Sequence, residues 1–209
     1  MASIGLSKPI IGLYHAEGSN VSYSDVTVVG KATKLDMELE EQEDRVVYGD
    51  CGPVEACNEF CGGTITLGTD ELSPDAMTKT LGTVTDNIGG VNWIVFNDDQ
   101  ETPYVGLGAI AKKQVNGAIK FVAIIYPKIL FQNFDEALVT QGETVEWQTP
   151  EIEAILMCDD TEKHEWRRIS EPLETETEAE SAIYAFFGFE KTYTVAILDE
   201  GLLDYMILE

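Results

Sequence analysis

Few residues of this 209-residue sequence stand in a pattern that could perform catalysis. Cys158 and His164 lie close in the sequence, and a cysteine thiolate activated by a histidine can act as a nucleophile. Nothing beside them supplies that activation, so we interpret Cys158 as structural and His164 as a surface residue. Gly106 and Gly108 lack the third glycine and the following helix of a phosphate-binding loop. We therefore expect no catalytic residue and no cofactor, and the sequence predicts a protein that is not an enzyme.

The candidate metal ligands do not have the spacing of a known metal site. The acidic run at residues 97–101 could contact a divalent cation, but it lacks the order and the glycine of an EF-hand loop. Cys51, Cys57 and Cys61 follow a C-x5-C-x3-C pattern instead of paired C-x-x-C knuckles, and neither histidine lies at zinc-finger spacing. We expect no metal site and free thiols in a reducing compartment, with a metal site or a disulfide as the alternative.

Charge is the most unusual property of the composition. The chain has 38 acidic and 13 basic side chains, which gives a formal net charge of −25. Such a field repels DNA, RNA and anionic membranes, so ordinary nucleic-acid binding and membrane association are not expected. The acidity serves either solubility in a salt-adapted host or the repulsion of a polyanion. No cleavable signal and no apolar run long enough to span a bilayer is visible, so we expect a cytoplasmic protein.

The hydrophobic pattern predicts a mainly β protein with a central hairpin. Residues 104–114 and 118–126 are suited to strands, and Asn116-Gly117 between them supplies the positive φ angles of a tight hairpin turn. The second strand is apolar on both faces, whereas a sheet with one face in water would be polar on that face. A helix or another subunit should therefore cover the second face.

Further strands and two helices are predicted around this hairpin. Apolar or alternating runs indicate strands at residues 26–29, 34–40, 64–67, 92–96, 144–147 and 152–157. The first helix begins after Ser73 and ends at Gly82. The second helix spans about residues 177–187, and Thr177 with Glu180 fits a capping box at its start.

Two segments are predicted to extend from the domain. Residues 41–63 form a long polar stretch rich in acids, which is either a solvated surface loop or an arm that orders on contact with a neighbouring subunit. Residues 192–207 indicate a small hairpin whose two apolar runs flank Asp199-Glu200-Gly201. Because a two-stranded hairpin is marginal in water, this one must dock on the domain or on a partner.

A cationic and aromatic cluster lies at Trp166, Arg167 and Arg168. One interpretation is the end of a strand with Trp166 in the core. The functional interpretation is a salt bridge between this cluster and an acidic neighbouring subunit.

Several short motifs, in their order and spacing, resemble the major tail proteins of long-tailed, non-contractile bacteriophages of Gram-positive hosts. The similarity runs from about residue 3 to residue 187 of this sequence. The matching motifs are Gly5-Leu6-Ser7-Lys8-Pro9 with Tyr14, Tyr23-Ser24-Asp25, Gly30-Lys31-Ala32, Tyr48-Gly49-Asp50 with Gly52-Pro53, Gly63-Thr64-Ile65-Thr66-Leu67-Gly68, Asp70-Glu71-Leu72-Ser73, Pro103-Tyr104-Val105-Gly106-Leu107-Gly108, Lys113-Gln114-Val115-Asn116-Gly117, Tyr126-Pro127-Lys128, Thr140-Gln141-Gly142-Glu143-Thr144-Val145-Glu146-Trp147-Gln148-Thr149-Pro150-Glu151, and Asp159-Asp160-Thr161 with His164 and Trp166.

The resemblance implies a fold and an assembly. The fold would be mainly β (α+β), a β-sandwich or barrel at residues 1–188 with one or two flanking helices and a long arm loop at residues 41–61. Residues 189–209 would be a C-terminal extension, which we expect to be a β-hairpin. Proteins of this family form hexameric rings that stack into a tube for DNA ejection. The implied partners are further copies of the chain, the tape-measure, tail-terminator and distal-tail proteins, and DNA in transit without specific binding. The implied location is the virion tail, assembled in the bacterial host cytoplasm.

Three groups of residues follow as hypotheses. Acids on one side of the strand at residues 34–40 would face the lumen and would offer DNA no site at which to bind. These acids are Asp36, Glu38 and Glu40. Screening over about 8–10 Å limits this effect to charges near the bore. The inter-ring arm would use Asp44, Arg45, Tyr48 and Pro53. The inter-subunit contact would use Trp166, Arg167 and Arg168.

Two other classes of function are compatible with the composition. The main alternative is an acidic DNA-mimic inhibitor of a host nucleic-acid-binding enzyme, which would be a monomer or dimer with acids spread along one face. A metal-binding adhesin domain is the third, and the lack of a visible signal peptide disfavours it.

Overall fold

The structure is a computed structural model, and it describes residues 2–40, 46–49, 52–56, 60–133, 140, 149–191, 193–197 and 203–207. For residues 46–49, 52–56, 193–197 and 203–207 it describes the backbone strands alone. The protein is mainly β with two helices, as the sequence predicts. Its elements, in chain order, are β1 (Ala2–Glu17), β2 (Asn20–Val28), β3 (Ala32–Leu39), β4 (Val46–Gly49), β5 (Gly52–Ala56), β6 (Gly63–Thr69), α1 (Pro74–Leu81), β7 (Val84–Ile88), β8 (Val91–Val95), β9 (Tyr104–Val115), β10 (Ala118–Phe131), β11 (Glu151–Met157), β12 (Arg168–Ile169), α2 (Glu176–Phe186), β13 (Tyr193–Ile197) and β14 (Leu203–Ile207).

The centre of the fold is one antiparallel sheet of eight strands. Its order is β2-β1-β9-β10-β11-β6-β3, and β12 pairs with β10 beside this path. The predicted hairpin is confirmed as β9 and β10, which turn at Asn116 and Gly117 with φ angles of 51° and 85°. Both residues adopt the left-handed conformation that a two-residue hairpin turn requires.

The sheet curls around a large apolar core. β10 pairs with β9 on both sides of an irregularity between Tyr126 and Ile129. Its other edge pairs with β12 at Ile124 and Ile125 and with β11 from Lys128 to Phe131. The two ends of the strand order approach each other, because β3 comes close to β1. The enclosed face carries Leu107, Ile129 and Leu156, all fully buried, and α1 adds Leu81.

The second apolar face of β10 was expected to be covered by a helix or another subunit, and α2 covers it. Ala123 and Ile125 of β10 pack in a second core cluster with Ala179 and Ile183 of α2. Glu180 of α2 is buried, and its two carboxylate oxygens bind Lys8 Nζ at 2.5 Å and Lys191 Nζ at 2.6 Å. These ion pairs join α2 to β1 and to the segment that follows the helix.

The start of α2 differs from its prediction. The capping box consists of Thr175 and Glu178, and the predicted pair, Thr177 and Glu180, is wrong. Two overlapping T-x-x-E sequences compete for this role, and the pairing of Glu180 with two lysines removes it from the second one. The first helix begins after Ser73 and ends at Gly82 as predicted, with the Ser73 side chain accepting the amide proton of Ala76.

In the described residues, three two-stranded ribbons lie outside the main sheet. The arm at residues 41–61 was predicted to be a long loop, and this prediction is corrected in part because β4 and β5 pair between residues 46 and 56. The terminal hairpin is confirmed as β13 and β14. The third ribbon, β7 with β8, includes the predicted strand near residues 92–96, whereas β7 itself was not predicted. The predicted strand at residues 144–147 lies outside the described residues.

Candidate assembly surfaces

The three acids predicted to face a lumen lie on the outer side of β3 and beyond its end. Asp36, Glu38 and Glu40 are all exposed, whereas Leu35 and Met37 pack against the main core. This separation follows from the strict alternation of the strand, in which successive side chains point to opposite faces. The structure therefore gives β3 an acidic outer side and an apolar inner side.

Strand register extends this acidic side to a second strand. In β3, Asp36 pairs with Thr66 of β6, and Thr66 pairs in turn with Glu153 of β11. By the same register, Glu151 of β11 is aligned with Lys34 across β6, and these two side chains form a salt bridge of 3.2 Å. Glu151 and Glu153 are exposed and were not among the predicted site residues.

The sequence itself contains a pattern that places Glu151 and Glu153 on the exposed side of their strand. Glu151 and Glu153 alternate with the fully buried Ile152 and Ala154, as Asp36 alternates with inward-facing residues in β3. Only the strand order reveals that both alternating segments lie on one sheet face with a single strand between them. We call Asp36, Glu38, Glu151 and Glu153 the acidic face.

Among the described residues, Lys34 is the one basic residue in register with the acids of this face. Its Nζ lies 3.2 Å from Glu151 and 3.3 Å from Asp36. Hydrogen bonds to Glu151 and then to Asp36 raise the pKa of Lys34, so the lysine stays charged. The face is thus acidic in net charge, with one cation bridging its two strands.

Trp166 and Arg168 are engaged within the chain. Trp166 packs against the main core and stacks on Phe60, with ring centroids 4.7 Å apart and an interplanar angle of 6°. Arg168 donates to both carboxylate oxygens of Glu165, with Nη2 3.0 Å from Oε1, and lies over the ring of Phe186. Hydrogen bonding to Arg168 lowers the pKa of Glu165. These two residues therefore already have the contacts that an interface would offer them.

Arg167 differs from its two neighbours. Its guanidinium lies 5.8 Å from the centroid of the Tyr126 ring, and its Nε is buried without a hydrogen-bond partner among the described residues. It lines a cavity of about 580 Å³ between β1 and β3, together with Lys34 and Asp36. Leaving a charged donor buried and unsatisfied costs more than about 1–3 kcal/mol. Arg167 is thus the member of the cluster that could donate hydrogen bonds to a carboxylate from outside the chain.

A short loop between β11 and β12 fixes the position of this cluster. Asp159 is buried, and its Oδ1 accepts hydrogen bonds from Thr161 Oγ1 at 2.7 Å and from the backbone N–H of Glu165 at 2.8 Å. His164 within the loop has a φ of 49° and contacts the Asp159 carbonyl. Burial and the nearby Asp159 carboxylate raise the pKa of the half-buried Cys158 thiol, which disfavours its nucleophilic form.

The arm residues are only partly within the described chain. Asp44 and Arg45 lie outside the described residues. Tyr48 and Pro53 are backbone partners in the β4–β5 register. The arm therefore contributes a paired backbone ribbon, and its predicted inter-ring role stays a prediction.

The described part of the chain holds neither a cluster of metal ligands nor a membrane-spanning helix. Within the described residues, no group of three or more His, Cys, Asp and Glu side chains could hold a metal ion. Neither α1 nor α2, the two helices of the described ranges, has the length and apolar character needed to cross a membrane. No protein-family model and no curated protein matches this chain.

Proposed function

We propose that this protein is a structural subunit that self-assembles into stacked hexameric rings, forming a phage tail tube for DNA ejection. The observation that carries the proposal is the acidic face, in which acids of β3 and β11 are aligned by the intervening β6. A wall of fixed negative charge suits a conduit for DNA, because a polyanion passing it finds no site at which to bind. The proposed location is the virion tail, with the tail proteins named above as partners.

The sheet also has features that favour association between copies. β2 and β3 stand at the two ends of the strand order, and each pairs with one neighbour along that order. Unpaired strand edges are templates for pairing with another chain, and a ring of copies would cover them.

Arg167 is the proposed inter-subunit contact. Its cavity, and an Nε atom that is buried without a hydrogen-bond partner among the described residues, fit insertion of an acidic side chain from a neighbouring copy. Replacing Arg167→Gln should weaken assembly with little effect on the stability of the single chain. Arg168→Gln is the matched control, because Arg168 already pairs with Glu165 and its loss should leave assembly unchanged. Equal assembly of wild type and Arg167→Gln would remove this residue from the interface.

Negative-stain electron microscopy of the purified protein tests the proposed function. Rings or tubes are expected, with sixfold symmetry in end views. A monodisperse small particle at all concentrations would instead support the acidic DNA-mimic alternative. If tubes form, a helical reconstruction tests the lumen assignment, and acids at positions 36, 38 and 40 on the outer wall would refute it.

A further inference from the structure

The ribbon of β7 and β8 presents an apolar face to solvent. Cross-strand partners point to the same face of a ribbon, and the register pairs Val84 with Val95 and Ile88 with Val91, while Trp93 pairs with Asp86. Val84, Ile88, Val91 and Trp93 are 53%, 63%, 55% and 54% exposed. The face therefore carries five large apolar side chains and one acid, and four of the five are more than half exposed.

The opposite face of the same ribbon is largely polar. It carries Thr85, Asn87 and Asn92, and the two asparagines form a side-chain hydrogen bond of 2.6 Å. Ile94 on this side is partly buried. The ribbon is thus amphipathic, and its apolar side is largely exposed in the described part of the chain.

The base of the ribbon is fixed to the domain. Thr83, immediately before β7, is buried. After β8 the chain returns to the end of α1, where Gln100 Nε2 donates to the Leu81 carbonyl at 2.6 Å and Thr102 Oγ1 lies 3.4 Å from it. Gly89 and Gly90, with φ angles of 64° and 84°, make the tight turn at the free end. The ribbon therefore projects from an anchored base.

We propose that this ribbon is an assembly element whose apolar face packs against a second copy of the chain. The inference deepens the proposed function and rests on its premise that copies associate. A two-stranded ribbon alone is marginal in water, so a covered face would stabilise it. Large exposed apolar faces are typical of interaction sites, and a central tryptophan is typical of their energetic centre.

Charge identifies a second copy as the occupant. Chains of net charge −25 repel one another, so their contact must be made where charge is low. Residues 83–97 contain a single charged side chain, Asp86, and five of the thirteen exposed large hydrophobics of the described chain. An anionic membrane is disfavoured as the occupant because Asp98, Asp99 and Glu101 follow the ribbon directly.

The test uses the full chain with Trp93→Ser and Ile88→Ser, each compared with Ile119→Ser. Ile119 is 48% exposed and lies outside the ribbon, close to the 54% of Trp93. Sedimentation should show that the two ribbon variants need at least about tenfold more protein to assemble, while the control stays within about twofold of wild type. Circular dichroism checks that each variant is folded.

Photo-crosslinking gives an independent measurement that does not depend on loss of assembly. A benzophenone amino acid at position 93 should link two copies of the chain on irradiation, and the same group at position 119 should not. Mass spectrometry of the linked peptides then identifies the surface that receives the ribbon. Crosslinks from position 93 that stay within one chain would overturn the inference.

The outcomes separate this inference from the proposed function. Tubes that form equally well from wild type and Trp93→Ser would overturn the role of the ribbon and leave the tail-tube proposal standing. If wild type forms small oligomers instead of tubes and Trp93→Ser does not form them, the role of the ribbon would be supported and the tail-tube proposal refuted. A wild-type chain that stays monomeric and uncrosslinked at every concentration would refute both.

Discussion

Gly108 and Gly106 determine how closely α2 approaches the main sheet. A Cβ atom at Gly108 would lie 2.4 Å from Ile183 Cγ2 of α2. At Gly106 it would lie 2.6 Å from the Tyr23 ring and 2.7 Å from the Phe187 ring. Gly106 and Gly108, which do not form a phosphate-binding loop, thus have a packing role, because any side chain there would push α2 away from the sheet.

Replacing Gly108→Ala should therefore lower the free energy of unfolding by about 1–3 kcal/mol, the usual cost of overpacking. Urea denaturation of the single chain measures it. Gly5→Ala is the control, because its nearest contact would be an ordinary 3.5 Å from Lys112 Cβ. A loss at Gly108 no larger than that at Gly5 would contradict the packing argument.

Asp160 joins three parts of the chain at one carboxylate. Its Oδ2 accepts hydrogen bonds from Lys128 Nζ at 2.6 Å and from the Tyr14 hydroxyl at 2.8 Å. The Lys128 bond first, and then the Tyr14 bond, lower the pKa of Asp160. On the other side of the contact, burial raises the pKa of Tyr14 to about 12, so this hydroxyl remains a donor at neutral pH.

A lowered pKa gives a stabilisation that is present above the unfolded pKa, about 3.9, and is lost as the pH falls through the folded value. Asp160→Asn should lower the free energy of unfolding by less than about 1 kcal/mol at pH 7, since the pair is partly exposed. The difference from wild type should shrink below about pH 4.

The pH dependence must be measured as the difference in the free energy of unfolding between wild type and Asp160→Asn. Protonation of many acids also relieves the repulsion within a chain of net charge −25, which changes the stability of wild type and variant alike. Glu162→Gln, a change at an exposed acid, serves as the control and should show no such pH-dependent difference. A constant deficit of Asp160→Asn from pH 7 to pH 3 would show that the charge is not its cause.

Among the elements, the arm can be removed without disturbing the strands that carry it. The chain leaves and re-enters the sheet at one place, because Leu39 pairs with Gly63 and the Glu40 N–H donates to the Gly62 carbonyl at 3.1 Å. Phe60 should be kept, since it stacks on Trp166. A short Gly-Ser linker in place of residues 41–59 satisfies both conditions.

If the arm makes the inter-ring contact, this deletion should leave a folded single chain that no longer forms tubes. The thermal unfolding midpoint should stay close to that of wild type, because the deletion keeps the Leu39–Gly63 strand pairing and Phe60, which packs against the main core. Electron microscopy reports on tubes, and a scrambled sequence of equal length at residues 41–59 is the control for linker effects. Normal tubes from the deletion variant would show that stacking uses another surface.

For the whole molecule, net charge sets how readily copies associate. Each copy carries a formal charge of −25, so bringing copies together costs electrostatic free energy. Raising the ionic strength from about 0.01 M to 0.15 M shortens the screening length from about 30 Å to about 8 Å. The concentration needed for assembly should therefore fall with salt.

Sedimentation across a salt series measures this dependence. The triple change Asp36→Asn, Glu38→Gln and Glu153→Gln is expected to reduce the slope while assembly persists, because these acids are exposed and aligned on one face. An assembly that weakens with salt would instead indicate that ion pairs between copies dominate over net repulsion.

The sequence by itself determined the features that depend on neighbours along the chain. The Asn116-Gly117 turn, the Ser73 cap and the alternation of acids in β3 are local, because turn angles, capping bonds and strand pleating act over a few residues. The prediction of a mainly β fold with helices rests on such signals, and so does the expectation that something covers the second face of β10.

Tertiary structure decided what lies side by side when the chain separation is large. In the fold, Glu153 lies in register with Asp36 across β6, and α2 packs on the second face of β10. Glu180 forms ion pairs with two lysines instead of taking part in a capping box. The tertiary structure also left the apolar face of the β7–β8 ribbon in solvent. These outcomes depend on strand order and on competition between partners, and periodicity along one segment carries information about neither.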